Sequence, residues 1–280
     1  MATCRDKYFL HHGLLLPKET HTDESLKFAA EFEFAEDDVL IEIIPLVMNG
    51  GDLTPVQTIP NWDRVPWLEE TRLSLVVDQL KSPRVFVSHF PYHLMPSSLC
   101  SSRAKIIYVT RNPKDVMVSS YHFHKMAAFL DDPGTFQEFM DKFLKGQVMF
   151  GKWTDHVKSW RHADLGDRIL FTTYQEMVQN LQGTLGEFST FLGTNLSQKT
   201  LCGIAEHCCF KNMSSNCMSN YSLVPKEYMD PSMSPFLRKG IVGDWKNHFS
   251  PEEDLRFSAC ISEEMKGESF SFPWSQVDEQ

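Results

Sequence analysis

Ile106-Ile107-Tyr108-Val109-Thr110-Arg111-Asn112-Pro113-Lys114-Asp115 is the stretch on which the fold turns, and it runs on as Val116-Met117-Val118-Ser119-Ser120-Tyr121-His122-Phe123-His124. Its first five residues are a β-branched and aromatic run, the pattern of a strand buried in a parallel sheet. A helix start follows: Asn112 is a capping residue, Pro113 fits the first helical position, and Asp115 suits the positive end of the helix. Arg111 then stands at the carboxyl end of a strand, where open α/β sheets bind ligands. Ser119 lies about two turns into the helix. A guanidinium, free helix-start amides and a hydroxyl together make a phosphate cradle. An ordinary strand–helix turn with a surface arginine fits the same residues, so the local pattern leaves both readings open.

Outward from this stretch, strands alternate with helices. Residues 37–41, 84–89 and 168–174 are further strand candidates, and Phe136–Leu144, 153–160, 175–180 and 185–192 have helical spacing. The alternation predicts an α/β fold, a single domain with a central parallel sheet flanked by helices and a P-loop-like nucleotide-binding architecture. No linker or repeat divides the 280 residues, so one domain is expected over 1–280, with 1–31 as an edge lead-in. Residues 212–235, rich in Ser, Asn, Met and Pro, read as a long loop and a candidate lid. After it comes Arg238-Lys239-Gly240-Ile241-Val242-Gly243-Asp244-Trp245-Lys246, where two glycines let backbone amides close on an anion between two cations.

Composition sets the boundaries. A formal charge of −10 argues against a nucleic-acid binder, while a local basic pocket for a small anion stays compatible with it. Seven cysteines, an odd number with Cys208 and Cys209 adjacent, do not form a disulfide framework, and none has zinc spacing with histidine. The longest apolar run among the first 17 residues is Leu14-Leu15-Leu16, which is neither a signal peptide nor a membrane span. The expectation is a cytoplasmic protein with reduced thiols, no metal and no membrane partner.

Taken together, the motifs resemble the cytosolic sulfotransferases from about Phe32 onward. Arg238-Lys239-Gly240 followed by Gly243-Asp244-Trp245-Lys246 matches a signature of that family, as does Arg111-Asn112-Pro113-Lys114-Asp115 with Ser119 eight residues after the arginine. Phe150-Gly151 with Trp153, His156-Val157 and Trp160 is similar too. The resemblance implies transfer of a sulfuryl group from the co-substrate 3′-phosphoadenylyl sulfate to a hydroxyl or amine of a small lipophilic alcohol, phenol, steroid or amine. It implies that Arg111, Ser119, Arg238, Lys239 and Gly240 hold the 3′-phosphate, and that Tyr174 contacts the adenine. It places Phe210 against the base, within Cys208-Cys209-Phe210-Lys211-Asn212-Met213, so Cys209 and Met213 belong to the same cofactor-binding set. Cys209 stands where the family has serine or threonine. His89 matches the catalytic base, and an imidazole suits that task because it titrates near neutrality. The Ser88-His89 pair is closer to the alcohol and steroid branch than to the phenol branch.

Two departures stand out. The family's first strand ends in a loop of the type Tyr-Pro-Lys-Ser-Gly-Thr-Thr-Trp that surrounds the 5′-phosphosulfate. Here Ile41 passes directly into Glu42-Ile43-Ile44-Pro45, with Pro45 weakening the helix expected there. No other stretch offers Lys-Ser-Gly-Thr, so impaired sulfate transfer is expected; a nucleotide-binding pseudoenzyme or truncated isoform with a regulatory role is the alternative. The family's dimer element is also degraded, because Pro251 replaces its valine in Lys246-Asn247-His248-Phe249-Ser250-Pro251. A homodimer by that route is doubtful. A generic P-loop kinase is disfavoured by the lack of any Gly-x-x-x-x-Gly-Lys-Ser/Thr run.

Overall fold

The computed structural model describes residues 7–35, 39–40 and 44–274. Its strands are β1 (Tyr8–His11), β2 (Leu14–Pro17), β3 (Val39–Leu40), β4 (Val85–Phe86), β5 (Lys105–Thr110) and β6 (Ile169–Thr173). β1 and β2 form an antiparallel hairpin, and the other four make a sheet in the order β4-β3-β5-β6 with every pair parallel. Successive side chains of a strand point to opposite faces. Thus Phe86, Ile106 and Tyr108 pack with Phe32, Phe34 and Trp160 on one face, while Val85 and Ile107 pack with Ile44, Leu185, Phe188 and Leu201 on the other. Helices on both faces make this the α/β architecture that the alternation predicts.

The decisive stretch folds as its residues require. Asn112 Oδ1 accepts a hydrogen bond from Lys114 N at 2.9 Å, and the helix Pro113–Met126 begins with proline at its first position. β6 lies beside β5 in register, with Thr110 opposite Thr173. The helix Tyr174–Gln179 starts there under a capping box made by Thr173 and Glu176. Arg111 and Tyr174 are therefore the first residues past two neighbouring strand ends.

Several boundaries differ from expectation. β4 is shorter than the expected 84–89 because Val87 leaves the sheet to bond the segment ahead of it. Val87 N donates to Pro66 O at 3.1 Å, and Leu68 N donates to Val87 O at 2.8 Å. At the amino end, the expected lead-in contains the β1–β2 hairpin. Residues 212–235 open with the end of a helix, Phe210–Ser215, and are tied down beyond it by Asn61 N to Met218 O at 2.9 Å and Ala128 N to Tyr228 O at 2.9 Å. Helix Ile44–Met48 carries Pro45 as its second residue, where no intrahelical N–H bond is lost. The junction between Ile41 and Glu42 lies outside the described residues. No helix among the described residues is long and apolar enough to cross a membrane.

Candidate active site

One cavity of about 480 Å³ has both His89 and Arg111 on its wall, together with Phe150, Trp153 and His156. It runs along β5 to Arg111 and takes in Val87, Ser88 and His89 just past the end of β4. The arginine side is cationic and aromatic. The guanidinium of Arg111 lies 4.3 Å from the centre of the Tyr174 ring, as the register of β5 and β6 demands. Its Nε is buried with no hydrogen-bond partner. Burial lowers the pKa of Arg111, Tyr174 and Asp115 draw it back up, and the charge of Arg238 lowers it further. A guanidinium so placed stays charged. The two arginines, 127 positions apart in sequence, thus feel one another's field.

The basic-glycine turn is joined to the start of the Pro113–Met126 helix by Asp115. Its carboxylate accepts from Gly243 N at 2.8 Å and from Trp245 N at 3.1 Å, and Asp115 is almost fully buried. One carboxylate therefore welds together the two motifs that the sequence singled out. The cations of the turn do not stand free as expected. Arg238 and Lys239 each donate to Asp244 at 2.5 Å, on Oδ2 and Oδ1 respectively. Burial pushes the Asp244 carboxyl up, but bonds from Lys239, Asn247 and Arg238 outweigh it and hold the group well below the usual carboxylate range. An incoming anion has to share these cations with Asp244.

Gly240 has φ +65° and faces Phe210 so closely that a Cβ on it would lie 2.1 Å from Phe210 Cδ2. Gly243, at φ +81°, has open space at the same place. Gly240→Ala is therefore expected to displace the Phe210 ring, whereas Gly243→Ala bears only the left-handed backbone cost of about 1–2 kcal/mol. Thermal melting of the two variants checks this, with the larger loss at Gly240. Of the other expected residues, Ser119 is exposed on its helix while the adjacent Ser120 lines the cavity. Cys209 stands just ahead of the Phe210–Ser215 helix and makes no capping bond, and Met213 packs against the apolar cluster around Phe188.

The opposite side holds a histidine with one open nitrogen. His89 Nδ1 lies 3.0 Å from Glu69 Oε1, and the same oxygen accepts His89 N at 2.9 Å. An ionised carboxylate is an acceptor, so Nδ1 carries the hydrogen and Nε2 keeps its lone pair. Phe150 stacks on the imidazole at 4.7 Å and 9°, and Trp67 lies 4.2 Å away on a tilted plane. Phe150 holds φ +65°, an uncommon backbone state for a bulky residue, and its N–H donates to Leu15 O at 3.2 Å. Burial pushes Glu69 up, but the bonds and charge of His89 hold it below its ordinary value. Beside it, burial and the Glu69 charge raise Glu70 to about 7. Glu69, Asp244 and the seam at Asp115 are what sequence reasoning missed; an isolated Trp67-Leu68-Glu69-Glu70 reads only as a turn.

The family model described as Sulfotransferase domain matches residues 38–269. Sulfotransferase 2B1 of Mus musculus is 39% identical over 286 residues, covering 98% of this chain and 84% of that protein. The 3-beta-hydroxysteroid sulfotransferase of Cavia porcellus is 38% identical over 238 residues, covering 85% of this chain and 83% of that one. Among solved structures, mouse sulfotransferase SULT7A1 complexed with PAP superposes with a TM-score of 0.75 at 26% identity, covering 94% of this chain and 96% of that one. With the two signature motifs joined through Asp115 and the family match running through most of its length, the chain belongs to the sulfotransferase family.

Proposed function

We propose that this chain binds 3′-phosphoadenylyl sulfate, with His89 as the base for a small lipophilic alcohol, phenol, steroid or amine. The observation that carries the reading is His89 and Arg111 on the wall of one cavity. The residues fit the nucleotide: Arg111 has a buried Nε without a partner and the Tyr174 ring against it, and Phe210 packs on Gly240 of the basic turn. Arg111 donates to phosphate oxygens, while Arg238 and Lys239 reach them in exchange for part of their hold on Asp244. His89 Nε2 accepts the acceptor's proton as the new O–S bond forms; the bridging S–O bond breaks, and 3′,5′-adenosine bisphosphate leaves with its electron pair. Residues 212–235 act as the lid in this reading, the chain works as a single cytoplasmic domain, and no nucleic acid or membrane takes part.

The sulfonate end lacks its share of donors. Only Ile41, Glu42 and Ile43 separate β3 from the helix Ile44–Met48. The alignment with the Mus musculus relative runs over 286 residues, longer than the 280 of this chain, so that relative holds residues with no counterpart here. This supports a second reading, a nucleotide-binding pseudoenzyme that retains the 3′-phosphate site. Calorimetric titration with 3′,5′-adenosine bisphosphate, beside a turnover assay with activated sulfate and a panel of alcohols, decides. Binding with turnover supports an active sulfotransferase, binding alone supports the pseudoenzyme, and no binding sinks both.

A further inference from the structure

His89, His124 and His156 all line the cavity of about 480 Å³, a size that takes a drug-sized molecule. His124 stands on the Pro113–Met126 helix, one turn past Ser120, and is 7% exposed. Its Nδ1 lies 2.8 Å from Ser120 O, with Ser120 Oγ more distant at 3.5 Å. A carbonyl oxygen only accepts, so a contact that short needs the hydrogen on Nδ1. Burial pushes the His124 pKa down to about 4, against the pull of the Ser120 carbonyl. The ring is therefore neutral at neutral pH, and Nε2 keeps its lone pair. Because Nδ1 is tied to its own helix, the Nε2 edge points off that helix, and the Phe139 ring packs against the imidazole at 4.8 Å. Among the described residues Nε2 makes no hydrogen bond.

His89 and His124 thus share a tautomer but differ in what backs them. The Glu69 carboxylate behind His89 stabilises an imidazolium, whereas the neutral Ser120 carbonyl behind His124 does so far less. The first arrangement suits removal of a proton, the second a fixed hydrogen-bond acceptor. His156 fixes no tautomer, because its Nδ1 lies 2.8 Å from the Tyr108 hydroxyl, which can give or take a hydrogen. Phe123, Phe143, Val148 and Phe150 supply apolar wall to the same cavity. We propose that His124 is a specificity-determining residue: its Nε2 accepts a hydrogen bond from a second hydroxyl or amine of the molecule whose first one faces His89. The substrate class is then a lipophilic molecule with donors at two ends, a diol or a hydroxy-amine. The proposal rests on reading this cavity as the acceptor site. A molecule with one donor leaves Nε2 against apolar surface, and a buried acceptor without a partner is costly.

Equilibrium binding to the full chain, without activated sulfate, tests this. A series of 1-alkanols and α,ω-alkanediols of equal length is titrated into the ¹⁵N-histidine-labelled protein at neutral pH. Long-range ¹H–¹⁵N correlations are expected to show His124 protonated at Nδ1, with a Nε2 signal that moves on adding a diol of matching length and stays put with the alkanol. H124F removes the acceptor at similar size, and is expected to weaken that diol relative to its alkanol about 10-fold. H124Q puts an amide oxygen within reach of the same place and restores the relative affinity. An unchanged ratio in H124F, or a hydrogen on His124 Nε2, overturns the proposal and leaves the acceptor reading of the cavity standing. If no alcohol of the series binds, the acceptor reading fails and the proposal falls with it. Should H124F fail to fold, the spectra of the unsubstituted chain decide: a diol and an alkanol that move Nε2 alike overturn the proposal.

Discussion

Insertion of Tyr-Pro-Lys-Ser-Gly-Thr-Thr-Trp between Ile41 and Glu42 is expected to raise sulfate transfer by at least about 10²–10³-fold, the usual value of a single transition-state donor. The unsubstituted chain has Arg111 and His89 on the wall of one cavity, with Tyr174 against the Arg111 guanidinium. What its sequence does not offer is the Lys-Ser-Gly-Thr loop that the family resemblance places around the 5′-phosphosulfate. Because a lysine and several amides return together, and such groups act as a unit, the gain need not equal the product of their separate effects. β3 pairs with Lys105 and Ile106 at the start of β5, which places the insertion point directly after a described strand. Val109, on β5, stays 36% exposed. Turnover of the insertion variant and the unsubstituted chain, measured with activated sulfate and an alcohol panel, checks the expectation. Equal rates in both would overturn the expectation that the junction limits transfer.

The placement of Arg111 was legible because its logic is local. A β-branched run, a capping asparagine and a proline place Arg111 at a strand end, and the parallel register then brings Tyr174 beside it. The family resemblance supplied the remaining nucleotide positions, including Phe210, whose tight contact with Gly240 no spacing rule contains. Glu69 was not legible: its partner His89 lies 20 residues away on a segment that leaves the sheet after Phe86, and the reason it leaves is a bond to Pro66. Pairings of this kind depend on which loop folds over which, and neither periodicity nor composition encodes that. Asp244 was misjudged for a related reason. Within a short signature it reads as one polar residue among several, yet burial makes it the partner of both cations beside it.

Arg111→Met is expected to weaken binding of 3′,5′-adenosine bisphosphate about 10- to 150-fold while leaving the melting temperature unchanged or higher. The affinity term follows from the loss of one charge-assisted bond, worth about 1.5–3 kcal/mol. The stability term follows from the site itself, where among the described residues the guanidinium makes no ion pair and its Nε is buried without a partner, so an apolar side chain of similar length relieves a desolvation cost. Arg238→Met should behave in the opposite way. It strips one cation from Asp244, which is 1% exposed, and so lowers the melting temperature. Its effect on affinity should be smaller, since Arg238 gives up part of its bond to Asp244 when it turns to phosphate. Calorimetry and melting on both variants separate the roles: a free cation waiting for an anion at Arg111, and an already satisfied one at Arg238. If Arg111→Met binds the bisphosphate as tightly as the unsubstituted chain, the nucleotide does not sit at the end of β5.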